Sequence, residues 1–72
     1  MATGAKWTLC GSSATLAGIA KMASQYHYSE VKLESAGFDL WHVVKVHSLG
    51  DRMRTRVVRK GRRYRLESPA IA

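Results

Sequence analysis

The chain has 72 residues, a hydrophobic fraction of 46% and a formal net charge of +7. This length fits one small domain, 1–72, and the hydrophobic fraction excludes a disordered basic tail. A single cysteine excludes an internal disulfide, no Cys/His spacing fits a metal site, and no apolar run reaches the ~20 residues of a transmembrane helix. We therefore expect a cytoplasmic protein without cofactor, metal or membrane partner, with flexible ends at 1–5 and 68–72.

The first two predicted elements are a short strand and a helix. The segment 6–10 alternates, and Trp7 and Leu9 share the face that we expect in the core. Residues 11–13 form a predicted turn, in which a serine caps the helix. The buried stripe of the helix consists of residues spaced three and four apart: Leu16, Ile19, Ala20, Ala23 and Tyr26. The pattern predicts a thin amphipathic helix that covers one face of a sheet.

Two further strands follow the helix. Residues 30–35 alternate with Val31 inward, and a turn at 36–37 leads into a longer strand, 38–47. This longer strand is predicted to turn one set of side chains towards the core: Phe38, Leu40, His42, Val44 and Val46. Its outward set is Asp39, Trp41, Val43, Lys45 and His47.

The stretch 45–65 holds nine of the twelve basic residues and one acid, so it carries +8. Its alternation predicts two strands joined by a turn at Lys60-Gly61, where glycine supplies the positive φ. That register sets Arg56 opposite Arg65. The inward side chains are Met53, Thr55, Val57, Tyr64 and Leu66, and the outward ones are Arg52, Arg54, Arg56, Val58, Arg63 and Arg65.

The predicted order is β-α-β-β-β-β, an α+β fold in which one N-terminal helix packs on a mainly antiparallel sheet. In size, charge and layout the chain resembles small phage or mobile-element proteins that disable host nucleoprotein machines, including some anti-CRISPR proteins. The resemblance concerns architecture and involves no residue motif, so it assigns no functional residue. The ribonucleoprotein signature of the RNA-recognition domain is missing from the sequence.

The concentration of arginine on one predicted face indicates an anionic partner. Like charges opposite each other in a sheet cost up to roughly 1 kcal/mol per pair, and a DNA or RNA backbone would neutralise them. A solvated surface that prevents edge-to-edge pairing is the alternative. The candidate binding residues are Trp41, Lys45, His47, Arg52, Arg54, Arg56, Arg59, Lys60, Arg62, Arg63 and Arg65. In this set Trp41 either stacks on bases or lies half-buried against its neighbours.

Two other functions stay open at this level. One is an inhibitor that docks its basic sheet on an acidic protein surface or on a host nucleoprotein complex. The other is a small ribonuclease toxin, in which His47 beside Arg52 does acid/base work. No catalytic constellation stands out, so we predict that the chain is not an enzyme. An unpaired strand edge makes a homodimer compatible with the layout.

Overall fold

The computed structural model describes residues 6–47 and 51–69. The elements are β1 Trp7–Ser13, α1 Leu16–His27, β2 Val31–Gly37, β3 Leu40–Lys45, β4 Arg52–Lys60 and β5 Arg63–Pro69. This order confirms the predicted α+β layout. The predicted ends at 1–5 and 70–72 lie outside the described residues, whereas Ser68 and Pro69 belong to β5 and not to a flexible end.

The five strands form one antiparallel sheet in the order β1-β5-β4-β3-β2. Strands β2 to β5 are neighbours in sequence and in space, while β1 pairs with β5 at the far edge. The helix therefore crosses the sheet from one edge to the other, and it packs against β1, β5 and β2. We call the side covered by α1 the helix face and the opposite side the open face.

The helix begins later along the chain than predicted. Its N-cap is Thr15, whose Oγ1 accepts a 3.0 Å hydrogen bond from the N–H of Gly18, and not a serine. Residues 11–13 belong to β1 instead of a turn. Ile19 and Ala23 are fully buried, which confirms the centre of the predicted stripe.

The helix end departs from the predicted stripe. Tyr26 is 50% exposed, and the neighbouring His27 is directed towards the sheet, where its Nε2 lies 2.7 Å from Thr55 Oγ1. Tyr28 follows as C-cap in the left-handed region at φ 52°, and its N–H donates to the carbonyl of Gln25. The sheet-facing position of the last helical turn is therefore occupied by a polar ring.

The core lies between α1 and the helix face of the sheet. Its buried members are Ile19, Ala23, Val31, Val43, Val57 and Leu66, with Cys10, Leu16, Leu33, Trp41, Met53 and Tyr64 packed around them. Fully burying an aliphatic side chain of this kind stabilises a fold by about 1.5–3 kcal/mol. The predicted inward faces of β2, β4 and β5 are thereby confirmed.

The face of β3 is the reverse of the predicted one. The turn consists of Phe38 and Asp39, between the pair Gly37↔Leu40, and a bulge before Gly37 shifts the register by one residue. A shift of one residue turns every side chain to the other side of a sheet. The helix face therefore receives Trp41, Val43 and Lys45, the open face receives Leu40, His42 and Val44, and Phe38 is 93% exposed.

The N-terminal strand also presents an unexpected face. Trp7 lies opposite Pro69 and Leu9 opposite Glu67, on the open face, and Leu9 is 50% exposed. A bulge between Leu9 and Gly11 then changes the register. The prediction that Trp7 and Leu9 enter the core is therefore wrong.

The hairpin between β4 and β5 closes one residue later than predicted. Lys60 pairs with Arg63, and the loop is Gly61-Arg62, with φ 62° at Gly61. A positive φ at the first central position is the one that a type II′ hairpin reserves for glycine. Because each partner moves by two residues, the faces of β4 and β5 stay as predicted, but Arg56 now lies opposite Glu67 instead of Arg65.

Candidate functional site

The centre of the open face is an ion-pair cluster around a buried carboxylate. Glu67 is 6% exposed, and its Oε1 accepts a 3.1 Å hydrogen bond from Arg56 Nε, with Arg56 Nη2 at 3.0 Å. The Nε of Arg65 lies 3.3 Å from Glu67 Oε2, in an ion pair without hydrogen-bond alignment. One carboxylate therefore holds two guanidinium groups, one from each strand of the hairpin.

Trp7 completes this cluster from the edge strand. The Cζ of Arg56 stands 3.8 Å from the centre of the Trp7 ring, which is a close cation–π contact. Arg56 is thus fixed by a ring on one side and by Glu67 on the other. We call Trp7, Arg56, Arg65 and Glu67 the central cluster.

The central cluster shows that the predicted pair of like charges across the hairpin does not form. The sequence predicted that Arg56 faces Arg65 with no counter-charge, but the observed register brings Glu67 between the two strands. The fold itself supplies an anion for both arginines. The clustered charge at this point does not require an external ligand.

A different set of cations has no such partner. Within residues 6–47 and 51–69, no acidic side chain lies at ion-pair distance from Arg52, Arg54, Lys60, Arg62 or Arg63. All five are exposed. We call them the basic track. They follow β4 and the hairpin loop on either side of the central cluster, over roughly 26 Å from Arg52 to Lys60 at about 3.3 Å per strand residue.

Two members of the track have polar neighbours. Arg63 Nη2 donates to Ser12 Oγ at 3.3 Å, and Arg52 Nη1 lies 3.3 Å from His42 Nε2. These contacts orient the side chains without neutralising their charge. The track is therefore positioned by the sheet and keeps its positive field.

Four of the predicted site residues are located elsewhere. Trp41 lies half-buried on the helix face, edge-on to Tyr64 with ring centres 5.6 Å apart, so it is not available on the open face. Lys45 is on the same helix face. Arg59 pairs with Asp39, with Nε and Oδ1 3.3 Å apart, and His47 pairs with Glu30, with Nε2 and Oε1 2.7 Å apart.

The histidine that stands among the arginines is His42. It lies opposite Arg56 in the register and contacts Arg52, whereas the predicted neighbour of Arg52 was His47. The expected core position of His42 and the expected pairing of His47 with Arg52 are both wrong. For His42 the reason is the reversed face of β3; for His47 it is the register, because β3 ends at Lys45 and Val44 lies opposite Arg52.

The sheet splits at the start of β4. The ladder between β4 and β5 ends at Arg56↔Glu67, although β5 continues to Pro69 and β4 begins at Arg52. Beyond this point Ser68 and Pro69 pair with β1 alone. Two cavities lie at the split and share as lining Arg52, Met53, Arg54, Thr55 and Pro69.

The two cavities differ in their other walls. The smaller, of about 390 Å³, adds the open-face residues Trp7, Leu40, His42 and Arg56. The larger, of about 650 Å³, is completed by Tyr26, His27, Lys45, Asp51 and Ser68. Part of the basic track thus lies on a wall common to both.

Sequence reasoning missed Trp7 and Glu67 as members of the site. A glycine inside a strand pattern, such as Gly11, is typical of a bulge. Because a bulge follows Leu9, alternation does not establish that the apolar residues of this strand point into the core. Glu67 continues the alternation of Arg63 and Arg65 by one more step. Extending the last strand past Leu66 would have placed this acid among the arginines.

Comparison of the chain with protein-family models found no match, and neither the curated proteins nor the solved structures gave a significant one. In the described part of the chain, no helix is long and apolar enough to cross a membrane. The same residues contain no group of three or more His, Cys, Asp or Glu side chains placed to hold a metal ion.

Proposed function

We propose that this protein binds nucleic acid by holding the phosphate backbone along the basic track. The observation that carries the proposal is the contrast between paired and unpaired cations. Arg56, Arg65, Arg59 and Lys32 each have a carboxylate partner, while the five cations of the track have none among the described residues. A row of exposed, unneutralised cations produces the field that attracts a polyanion.

The central cluster supports the same function because it holds the hairpin in a fixed geometry. Arg56 and Arg65 are tied to Glu67, so the middle of the hairpin is held in one geometry. The flanking cations project from fixed backbone positions and need less ordering when phosphates bind. Counting Glu67 against its two arginines, the cluster also keeps one positive charge in the middle of the track.

The test is fluorescence anisotropy with labelled single-stranded RNA, single-stranded DNA and duplex DNA over a salt series. We expect affinity to fall steeply with salt, by a slope of about 0.7 per neutralised phosphate for a single strand. Arg63→Gln should weaken binding several-fold and reduce the slope by about 0.7, which corresponds to the loss of one phosphate contact. We also propose that the protein is cytoplasmic, where either nucleic acid is accessible.

The matched control is Lys21→Gln. Lys21 is exposed on α1, so this change also removes one surface charge but leaves the open face intact. It should weaken binding much less than Arg63→Gln. Equal losses for the two variants, or no binding to any of the three probes, would contradict the proposal.

Two exposed aromatic side chains favour the inhibitor-type function as a second candidate. Tyr28 is 96% and Phe38 93% exposed, and aromatic residues are enriched in protein interfaces. In this case the basic sheet docks on an acidic protein or nucleoprotein surface, and the two exposed rings, at the helix end and in the turn between β2 and β3, add apolar contact area. The same anisotropy series would then show weak binding that does not distinguish the three nucleic acids.

A further inference from the structure

We propose that the larger cavity at the split is a site for one unstacked nucleobase of a single-stranded nucleic acid, with Arg52 and Arg54 holding the neighbouring phosphates. This inference rests on the proposed nucleic-acid binding and specifies the form of the strand. Four observations carry it: the origin of the cavity, an aromatic wall, polar groups and a cationic rim.

The cavity is a product of the sheet geometry. Past Arg56↔Glu67, β4 and β5 are no longer paired, so Arg54 and Thr55 have no ladder partner in Ser68 and Pro69. On its other side β4 carries extra residues, because the pair after His42↔Arg56 is Val44↔Arg52. The resulting space of about 650 Å³ is within the range of roughly 300–1,000 Å³ that is typical of small-ligand sites.

The aromatic wall is Tyr26. Its side chain is half exposed, and its ring meets that of His27 edge-to-face, with centres 5.0 Å apart and planes at 85°. The edge of one ring thus packs on the face of the other, while half of the tyrosine surface stays open to a ligand. Met53 and Pro69 add apolar surface to the lining. Aromatic rings stack on bases of any sequence, since every base has a π-face.

Polar groups line the cavity beside the ring. His27 Nε2 and Thr55 Oγ1 are 2.7 Å apart, and Ser68 adds a second hydroxyl. Burial, and then the charge on Lys45, lowers the pKa of His27 below its ordinary value of 6.5, which favours the neutral form of the ring. The bond between His27 and Thr55 uses Nε2, so Nδ1 of the ring and the two hydroxyls provide the remaining donors and acceptors for the edge of a base.

The rim of the cavity is cationic. Lys45, Arg52 and Arg54 line it, against the single acid Asp51. Arg52 and Arg54 also line the smaller cavity on the open face. A strand whose phosphates follow the basic track would therefore reach the larger cavity without leaving these two side chains.

This arrangement selects for a single strand. A base inside a duplex is already stacked and paired on both faces, so it cannot enter without being extruded. An unpaired base enters freely, and its flanking phosphates meet the cationic rim. We expect the protein to prefer single strands to duplexes of the same charge.

The experiment compares two labelled decamers in the anisotropy assay: oligothymidylate and an abasic strand with the same number of phosphates. The natural chain should bind the thymidylate strand about tenfold more tightly. Tyr26→Leu should remove most of that preference and leave affinity for the abasic strand unchanged. Tyr28→Leu is the matched control, because it removes a neighbouring, fully exposed tyrosine that does not line the cavity.

The outcomes separate this inference from the proposed function. Equal, salt-dependent binding of both decamers would overturn the base site while leaving backbone binding intact. A preference that survives Tyr26→Leu, or that disappears equally with Tyr28→Leu, would also overturn the base site. If neither decamer binds, the proposed function fails, and titration of uridine monophosphate followed by NMR decides on the cavity: absence of shifts at Tyr26 and His27 would exclude a base site.

Discussion

The two faces of the sheet are stabilised in different ways. On the helix face, Val43, Val57 and Leu66 are at most 1% exposed and pack against Ile19 and Ala23 of the helix. The open face has no covering element within the described residues, and its centre is held by a carboxylate, two guanidinium groups and an indole ring. Apolar packing is non-directional, whereas ion pairs and cation–π contacts depend on position and orientation.

Leu66 and Glu67 show this difference within one strand. They are neighbours in β5, lie on opposite faces and are 1% and 6% exposed. The first is buried by the helix, and the second by the side chains that it binds. A small sheet with one helix can thus bury a carboxylate at the centre of its uncovered face with the charged side chains that it binds, which leaves the ends of that face free for a ligand.

The strongest test of this comparison is removal of the charge of Glu67. Glu67→Gln keeps the shape but leaves Arg56 and Arg65 without a counter-charge, and breaking a buried pair costs about 3–5 kcal/mol. Since both arginines are partly exposed, we expect a loss of about 2 kcal/mol in the free energy of unfolding, measured with urea. Glu34→Gln, which removes a carboxylate paired with Lys32 at the exposed surface, should cost less than about 1 kcal/mol. Similar losses for both would show that the central cluster does not stabilise the open face.

A smaller effect is expected from the contact between Trp7 and Arg56. A double-mutant cycle with Trp7→Leu and Arg56→Gln should give a coupling energy of about 0.5–1 kcal/mol, because the guanidinium stacks on the ring at 3.8 Å. The same cycle with Arg56 and Trp41, whose ring lies on the helix face, should give coupling near zero. Coupling of the same size in both cycles would contradict the assignment of Trp7 to the open face.

The smallest expected effect is the change in the free energy of unfolding that follows from protonation of His27. The pKa of His27 is lowered, first by burial and second by the charge on Lys45, so the unfolded chain binds the proton more readily than the folded one. The contribution of His27 to the free energy of unfolding is therefore fully present above about pH 6.5. It is lost as the pH falls from there towards the pKa of His27 in the folded state.

Urea unfolding at a series of pH values measures this effect. The difference between the natural chain and His27→Gln should shrink as the pH is lowered from about 7.5 to 5. Subtracting the two curves removes the other titrating groups that they share. A constant difference would mean that His27 titrates alike in both states.

Much of the fold could be predicted from periodicity. The helix, the order of the elements along the chain and the inward faces of β2, β4 and β5 follow from apolar residues at regular spacing. The face of strand β3 could not be assigned in this way, because this strand is apolar on both sides: Val43 is 0% and Val44 1% exposed. Its face depends on a bulge at the preceding turn, and alternation alone carries no information about that bulge.

For the candidate site, the sequence identified the cations but not their partners. Arg52, Arg54, Lys60, Arg62 and Arg63 were named from charge density, and the structure shows them exposed. Which arginines are neutralised depends on register, and a shift of two residues replaced Arg65 with Glu67 opposite Arg56. The cavity could not be predicted, since it depends on where the pairing of two strands stops.

The pairing of β1 with β5 affects the order of events during synthesis. The strands from β2 to β5 join sequential neighbours, so each can dock as it emerges from the ribosome. Strand β1 is made early but pairs with the last strand described here, Trp7 against Pro69. Until β5 emerges, the edge of β1 has no partner, and chaperones or a second nascent chain can reach it. The interval between the emergence of β1 and that of β5 therefore sets how long this edge stays unprotected.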